Sequence, residues 1–127
     1  MRKATRGRSL RPETAAAVYD MSMAATRIEE AVAERTFADY TSGWMLQSAV
    51  ERQFEIFGEA MVRIRDLERP VFDRFNEPEK IVGLRNVIIH GYDRVDPRIL
   101  WAIATEELPG IRVVLDQLLA EAERQGL

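Results

Sequence analysis

The side chains best equipped for chemistry crowd into eight positions, Arg85 to Tyr92, which read Arg-Asn-Val-Ile-Ile-His-Gly-Tyr. They include the only histidine of the chain, His90. An imidazole titrates ordinarily at about pH 6.5, so it can serve as base or acid near neutral pH. A guanidinium is permanently charged, and its planar fork matches two oxygens of a phosphate. Asn86 can orient the imidazole, and Tyr92 adds a phenol. The combination suits proton transfer beside a phosphoryl group.

An element has to hold these groups together. Eight residues span roughly two turns of helix, and Asn86 and His90, four apart, share a face with Arg85 on its flank. Val87, Ile88 and Ile89 are expected to point mostly into a core. Gly91 is placed to end the helix as a left-handed cap. His90 then sits in the last turn, where the carbonyl ends favour a cation, and Tyr92 follows on exposed backbone.

The rest of the chain reads as helices that could carry this one. Pro12 and Glu13 suit a helix start, and Val18, Met21, Ala25, Ile28 and Val32 repeat at three and four. The first helix is expected at about 12–35. Residues 36–42 read as a turn. A second helix starts near Ser42 and runs to about Leu67, with Val50, Phe54, Phe57, Met61 and Ile64 as its buried stripe. Gly58 inside it costs roughly 1 kcal/mol relative to alanine, which close approach by another helix would offset. Arg69-Pro70 ends that element, and a connection follows with a short turn at residues 71–75. Pro78 opens the third helix, with Ile81, Leu84 and Ile88 inward. Asp96-Pro97 caps and starts a fourth, which carries Ile99, Leu100 and Ile103. It breaks near Pro109 and resumes through Ile111, Val114, Leu115 and Leu118 to about Arg124. The expected fold class is all-α, an up-and-down bundle of four main helices with the last one broken.

Length and composition narrow the function classes. A chain of 127 residues supports one domain with a core that needs no staples. With no cysteine there are no disulfides or thiolate sites. With a single histidine, a zinc site would rest mostly on carboxylates, so no metal or other cofactor is expected. No apolar run approaches a membrane span and no secretory pattern follows the basic start, so the expected location is cytoplasmic. Residues 1–11 carry five basic groups and no acid, and are expected to form a flexible tail ahead of a single domain at 12–127. The other 116 residues hold 13 basic and 21 acidic groups, a net of −8. That acidic body argues against broad, nonspecific nucleic-acid binding and leaves any such contact to a local cluster.

Each of these residues also has a plainer structural reading. His90 before Gly91 is a favourable helix ending. Arg85 is a candidate salt-bridge partner for Glu79 or Asp93, Asn86 a polar residue on a helix face, and Tyr92 a half-buried anchor. Trp44 and Trp101 suit a core or an interface, and Met21, Met23, Met45 and Met61 suit packing.

The pattern of arginine, four residues, histidine, one residue, tyrosine resembles the signature of HEPN-domain proteins. Within them it is closest to the HepT-like toxins of prokaryotic toxin–antitoxin pairs. The flanks are similar too: Glu55-Ile56-Phe57-Gly58-Glu59-Ala60 upstream, and Val95-Asp96-Pro97, Trp101 and Leu108-Pro109 downstream. The resemblance covers about residues 12–122, and the basic segment 1–11 extends beyond the usual family start. It implies the same all-α fold, a homodimer with a composite ribonuclease site, and a minimal nucleotidyltransferase antitoxin as partner. That partner can transfer adenylate to the motif tyrosine, here Tyr92.

RNA supplies its own nucleophile, the 2′-hydroxyl. Cleavage without a metal needs a base for that hydroxyl, an acid for the leaving 5′-oxygen and a cation for the phosphorane. Arg85 and His90 fill the last role and one of the first two, and Asn86 can orient His90 or the ribose. One histidine per chain falls short of two proton transfers, and a two-fold dimer that joins two motifs resolves this. Lys80, Arg94 and Arg98 are near enough in sequence to add positive potential around such a cleft. The sequence leaves two alternatives open. One is a non-catalytic HEPN module that binds a nucleotide or a regulatory partner; the other is a purely structural dimerisation bundle.

Overall fold

The structure is a computed structural model that describes residues 9–91 and 95–127. The described residues are helical almost throughout and contain no strand. They form α1 (Pro12–Val32), α2 (Phe37–Ser42), α3 (Trp44–Leu67), α4 (Arg69–Phe72), α5 (Pro78–His90), α6 (Pro97–Ala102), a π-helical turn (Ile103–Glu107) and α7 (Leu108–Arg124). The all-α bundle of four main helices is therefore present, as α1, α3, α5 and the broken arm α6–π–α7. None of the helices is long and apolar enough to cross a membrane.

The apolar spacing accounts for the core. Val18, Met21, Ala25 and Ile28 of α1 are buried against Val50, Phe54, Phe57, Met61 and Ile64 of α3. This α1–α3 pair forms the centre of the bundle; α5 packs on α3 and α7 on α1. Leu108, Leu115 and Leu118 close the α7 side. The docking of α7 is also polar. Arg112 donates to both carboxylate oxygens of Glu29 at 3.2 and 3.0 Å, to Ser22 Oγ at 2.8 Å and to Thr26 Oγ1 at 2.9 Å.

Several boundaries differ from the sequence expectation, each for a local reason. α1 ends at Val32 rather than at about 35, because Glu34 adopts a left-handed backbone with φ of 60°. Residues 36–42 are a helix rather than a turn. Thr36 and Asp39 form a reciprocal capping box, with Thr36 Oγ1 accepting from Asp39 N at 3.1 Å and Asp39 Oδ2 from Thr36 N at 2.9 Å. Those bonds hold the Asp39 carboxyl below its usual range. Arg69-Pro70 starts the short α4 rather than only ending α3. The fourth helix widens before Pro109. Leu108 N bonds back to Ile103 O across a π turn, and Pro109 falls in the first turn of α7, where its missing N–H is tolerated.

At the N-terminal end the anchored chain reaches back beyond α1. Leu10 is buried, and its backbone N–H and carbonyl bond the Gln125 side chain at 2.8 and 3.0 Å. Arg11 donates its N–H to Glu68 at 3.0 Å and its Nη1 to Leu67 O at 2.9 Å.

Some expected core positions lie on the surface. Val87 is 53% exposed and Ile89 is also exposed; only Ile88 of that trio packs against the core. The reason is that α5 packs chiefly on α3, which covers one stripe: Ile81, Leu84 and Ile88. Met21 and Met61 are core residues, but Met45 and Trp44 are exposed. Trp101 is half-buried and stacks at a tilt on Tyr40, with ring centres 5.6 Å apart.

Candidate active site

Two helices build the site. α3 brings Gly58 and Glu59, and α5 brings Arg85, Asn86 and His90. The contact between them depends on the absence of a side chain. A Cβ on Gly58 would collide with Arg85 Cβ and lie 2.8 Å from Arg85 Cγ. The close approach expected at Gly58 is therefore made within the same chain, and it comes from the motif arginine itself.

Above that contact the Arg85 guanidinium is held at three points. Nε and Nη2 both donate to Glu59 Oε2, at 3.2 and 2.6 Å, and Nη1 donates to Asn86 Oδ1 at 2.8 Å. Among the described residues, three of the arginine's five N–H donors have partners and two do not. The Arg85 side chain is about a quarter exposed. The expected partner Glu79 is not used. It lies six residues earlier on the helix, on a different face, and pairs with Arg69 at 3.3 Å. Asp93, the other expected partner, lies outside the described residues.

His90 is the last residue of α5 and is exposed. Five residues of helix separate it from Arg85, about 7–8 Å of axial rise. Asn86 shares its face and is exposed as well. Gly91 is not the left-handed cap that was expected: its φ of −74° and ψ of 106° are extended, so α5 ends without that cap. Tyr92 and Arg94 lie outside the described residues.

Two other cations singled out in the sequence, Lys80 and Arg98, are each paired with a carboxylate. Lys80 lies ten residues, about 15 Å of rise, from His90, and its ammonium is bonded to Glu107 at 2.8 Å, which raises its pKa. Arg98 is held by Asp96 at 3.2 and 2.9 Å, which raises its pKa and lowers that of Asp96. Asp96 also caps α6 by accepting from Arg98 N. Both cations are thus paired with carboxylates.

Beside Glu59 a surface groove of about 700 Å³ runs between α1 and α3. Arg27, Arg52 and Arg63 line it together with Asp20, Glu55 and Glu59, so it is balanced in charge. Arg52 pairs with Glu55 at 3.1 Å and Arg63 with Asp20 at 2.8 Å. Sequence reading overlooked Glu59 as a site residue. The available signal was an acid directly after a glycine inside a helix, at the point where a second helix must come close.

The family model for HepT-like ribonucleases matches residues 21–118, three quarters of the chain and all of the site described above. The chain belongs to this HepT-like family. A Methanocaldococcus jannaschii protein named as a candidate RNase is 35% identical over 96 residues, covering 75% of this chain and 86% of that one. A Thermococcus cleftensis protein named as a probable ribonuclease HepT is 33% identical over 103 residues, covering 78% of this chain and 89% of that one. No solved structure matches the chain significantly. The HepT-like assignment agrees with the resemblance carried by Arg85, His90 and Tyr92, and the all-α bundle is the architecture that resemblance implies.

Proposed function

We propose that this chain is a metal-independent endoribonuclease, the toxin half of a toxin–antitoxin pair. It cuts RNA by attack of the 2′-hydroxyl on the adjacent phosphorus. The observation that carries the reading is the pairing on one helix of a restrained Arg85, with donors to spare, and an exposed His90. Arg85 neutralises the phosphorane, His90 moves a proton, and Asn86 holds the fork and orients its neighbours. The second proton transfer falls to His90 of a second copy in a homodimer. Exposed Val87 and Ile89 on the same helix support burial of this surface against another chain. A nucleotidyltransferase antitoxin neutralises the toxin and adenylylates Tyr92, which brings charge and bulk beside His90 and competes with RNA phosphate for Arg85.

The net charge of −8 over residues 12–127 favours a second reading, a non-catalytic module that binds a nucleotide or the antitoxin. One experiment separates the two. Wild-type and His90→Ala chains are expressed without a partner, and growth and RNA integrity are followed. Growth arrest and RNA loss with wild type alone, and cleavage by purified protein that persists in EDTA, are expected. Equal behaviour of the two chains refutes the catalytic reading.

A further inference from the structure

We infer that Glu59 is a positioning residue for Arg85, fixing the guanidinium fork so that its two remaining donors are set for a phosphate before RNA arrives. The inference rests on the ribonuclease reading above and adds to it a residue from a different helix.

Two pairs of sequence neighbours do the holding. Gly58 lets the root of the Arg85 side chain lie directly on α3. Its neighbour Glu59 takes Nε and Nη2 at the head. On α5, Asn86 takes Nη1 of its own neighbour Arg85. Root and head are therefore both fixed, although an arginine has long and flexible torsions. A free arginine loses that freedom when it grips a phosphate, whereas a held one has already lost it, and placement to within an ångström matters for rate. The Glu59 carboxylate is about half exposed and only one of its oxygens is engaged with Arg85, so the pair is not there to fill a core.

The competing explanation is an ordinary surface ion pair, and the two differ in sign. An acid beside a phosphate site repels RNA, so removing it should tighten binding if charge is all that matters. On the positioning account the same removal slows the chemical step despite the better electrostatics. In Glu59→Ala we expect kcat to fall by roughly tenfold to a hundredfold. RNA affinity, measured in a His90→Ala background that prevents cleavage, should be unchanged or stronger. Glu59→Gln keeps an oxygen that accepts from Nε and Nη2 and should restore most of kcat. Circular dichroism confirms that the variants fold.

A second readout needs no activity. In nitrogen–proton NMR spectra the Arg85 Nε–H, assigned by its loss in Arg85→Lys, should be protected from solvent exchange in wild type and in Glu59→Gln. It should exchange rapidly in Glu59→Ala. Unchanged protection in Glu59→Ala, or a lower KM with unaltered kcat, overturns the inference. Failure of wild type to cleave any RNA overturns the ribonuclease reading instead and leaves the NMR comparison decisive for Glu59.

Discussion

At the scale of single residues the candidate site pairs a held cation with an exposed imidazole. Arg85 has three hydrogen bonds at its head, while His90 stands exposed at the end of its helix. That difference suits the roles proposed for them, since an electrostatic anchor gains from rigidity and a proton carrier needs access. Arg85→Ala and His90→Ala should each reduce cleavage by about 10²–10⁴-fold, the usual worth of such groups. Single-turnover rates on a defined RNA test this, with loss below tenfold counting against either assignment. Tyr92 belongs to this scale as well. If the neighbouring nucleotidyltransferase adenylylates it, Tyr92→Phe should gain no adenylate on incubation with that enzyme and ATP, read by mass spectrometry of peptides. The rival acceptor is Tyr19, which is exposed, whereas Tyr40 is buried with its phenol pushed up to about 12 by desolvation and by Glu51. Adenylate found on Tyr19 would remove Tyr92 from the regulatory role.

At the scale of elements, the site exists because α3 and α5 touch at Gly58. Gly58→Ala should improve intrinsic helix propensity by about 1 kcal/mol. It also places a methyl group against the root of Arg85, where the atoms cannot swing away as a side-chain tip can. Overpacking of that kind typically costs about 1–3 kcal/mol, so a net destabilisation of up to about 2 kcal/mol is expected in urea titrations, with at least tenfold slower cleavage. Gly110→Ala is the control: nothing lies within 4 Å of its added methyl, so it should keep the propensity gain of up to about 1 kcal/mol and leave cleavage essentially unchanged. Much of this element-level geometry could be read in advance. The three- and four-residue spacing located α1, α3 and α5, and an unexplained glycine marked a close approach. What approached it could not be read. The Glu59–Arg85 bond joins residues 26 apart in sequence on different helices, and periodicity says nothing about which rotamer reaches across. The same limit explains Val87 and Ile89: an apolar residue type marks preference for burial, but α5 packs chiefly on α3, and the face that carries these two residues stays exposed. The α2 helix was missed because Thr36 and Asp39 also suit a turn, and only their reciprocal bonding decides for helix.

At the scale of the whole molecule, one chain supplies one histidine to a proposed reaction that needs two proton transfers. Its motif helix also exposes apolar surface at Val87 and Ile89. Both features are accounted for if two copies meet along α5 and bring two motifs into one cleft, with a stable interface burying well over about 1,000 Å² in total. Light scattering at micromolar concentration should then report a dimer, and a monomer would end the composite-site account. A sharper measurement uses mixed dimers. Wild-type and His90→Ala chains carrying different affinity tags are co-expressed and purified through both tags. If each protomer completed its own site, the mixed dimer would retain half the wild-type rate. If one cleft draws on both His90 side chains, the mixed dimer should fall far below half, by tenfold or more. Tight RNA binding should persist in the mixed species, because both Arg85 forks remain. A rate of one half would leave the dimer intact as an assembly but remove its catalytic purpose, and a second proton carrier would have to be found within the single chain.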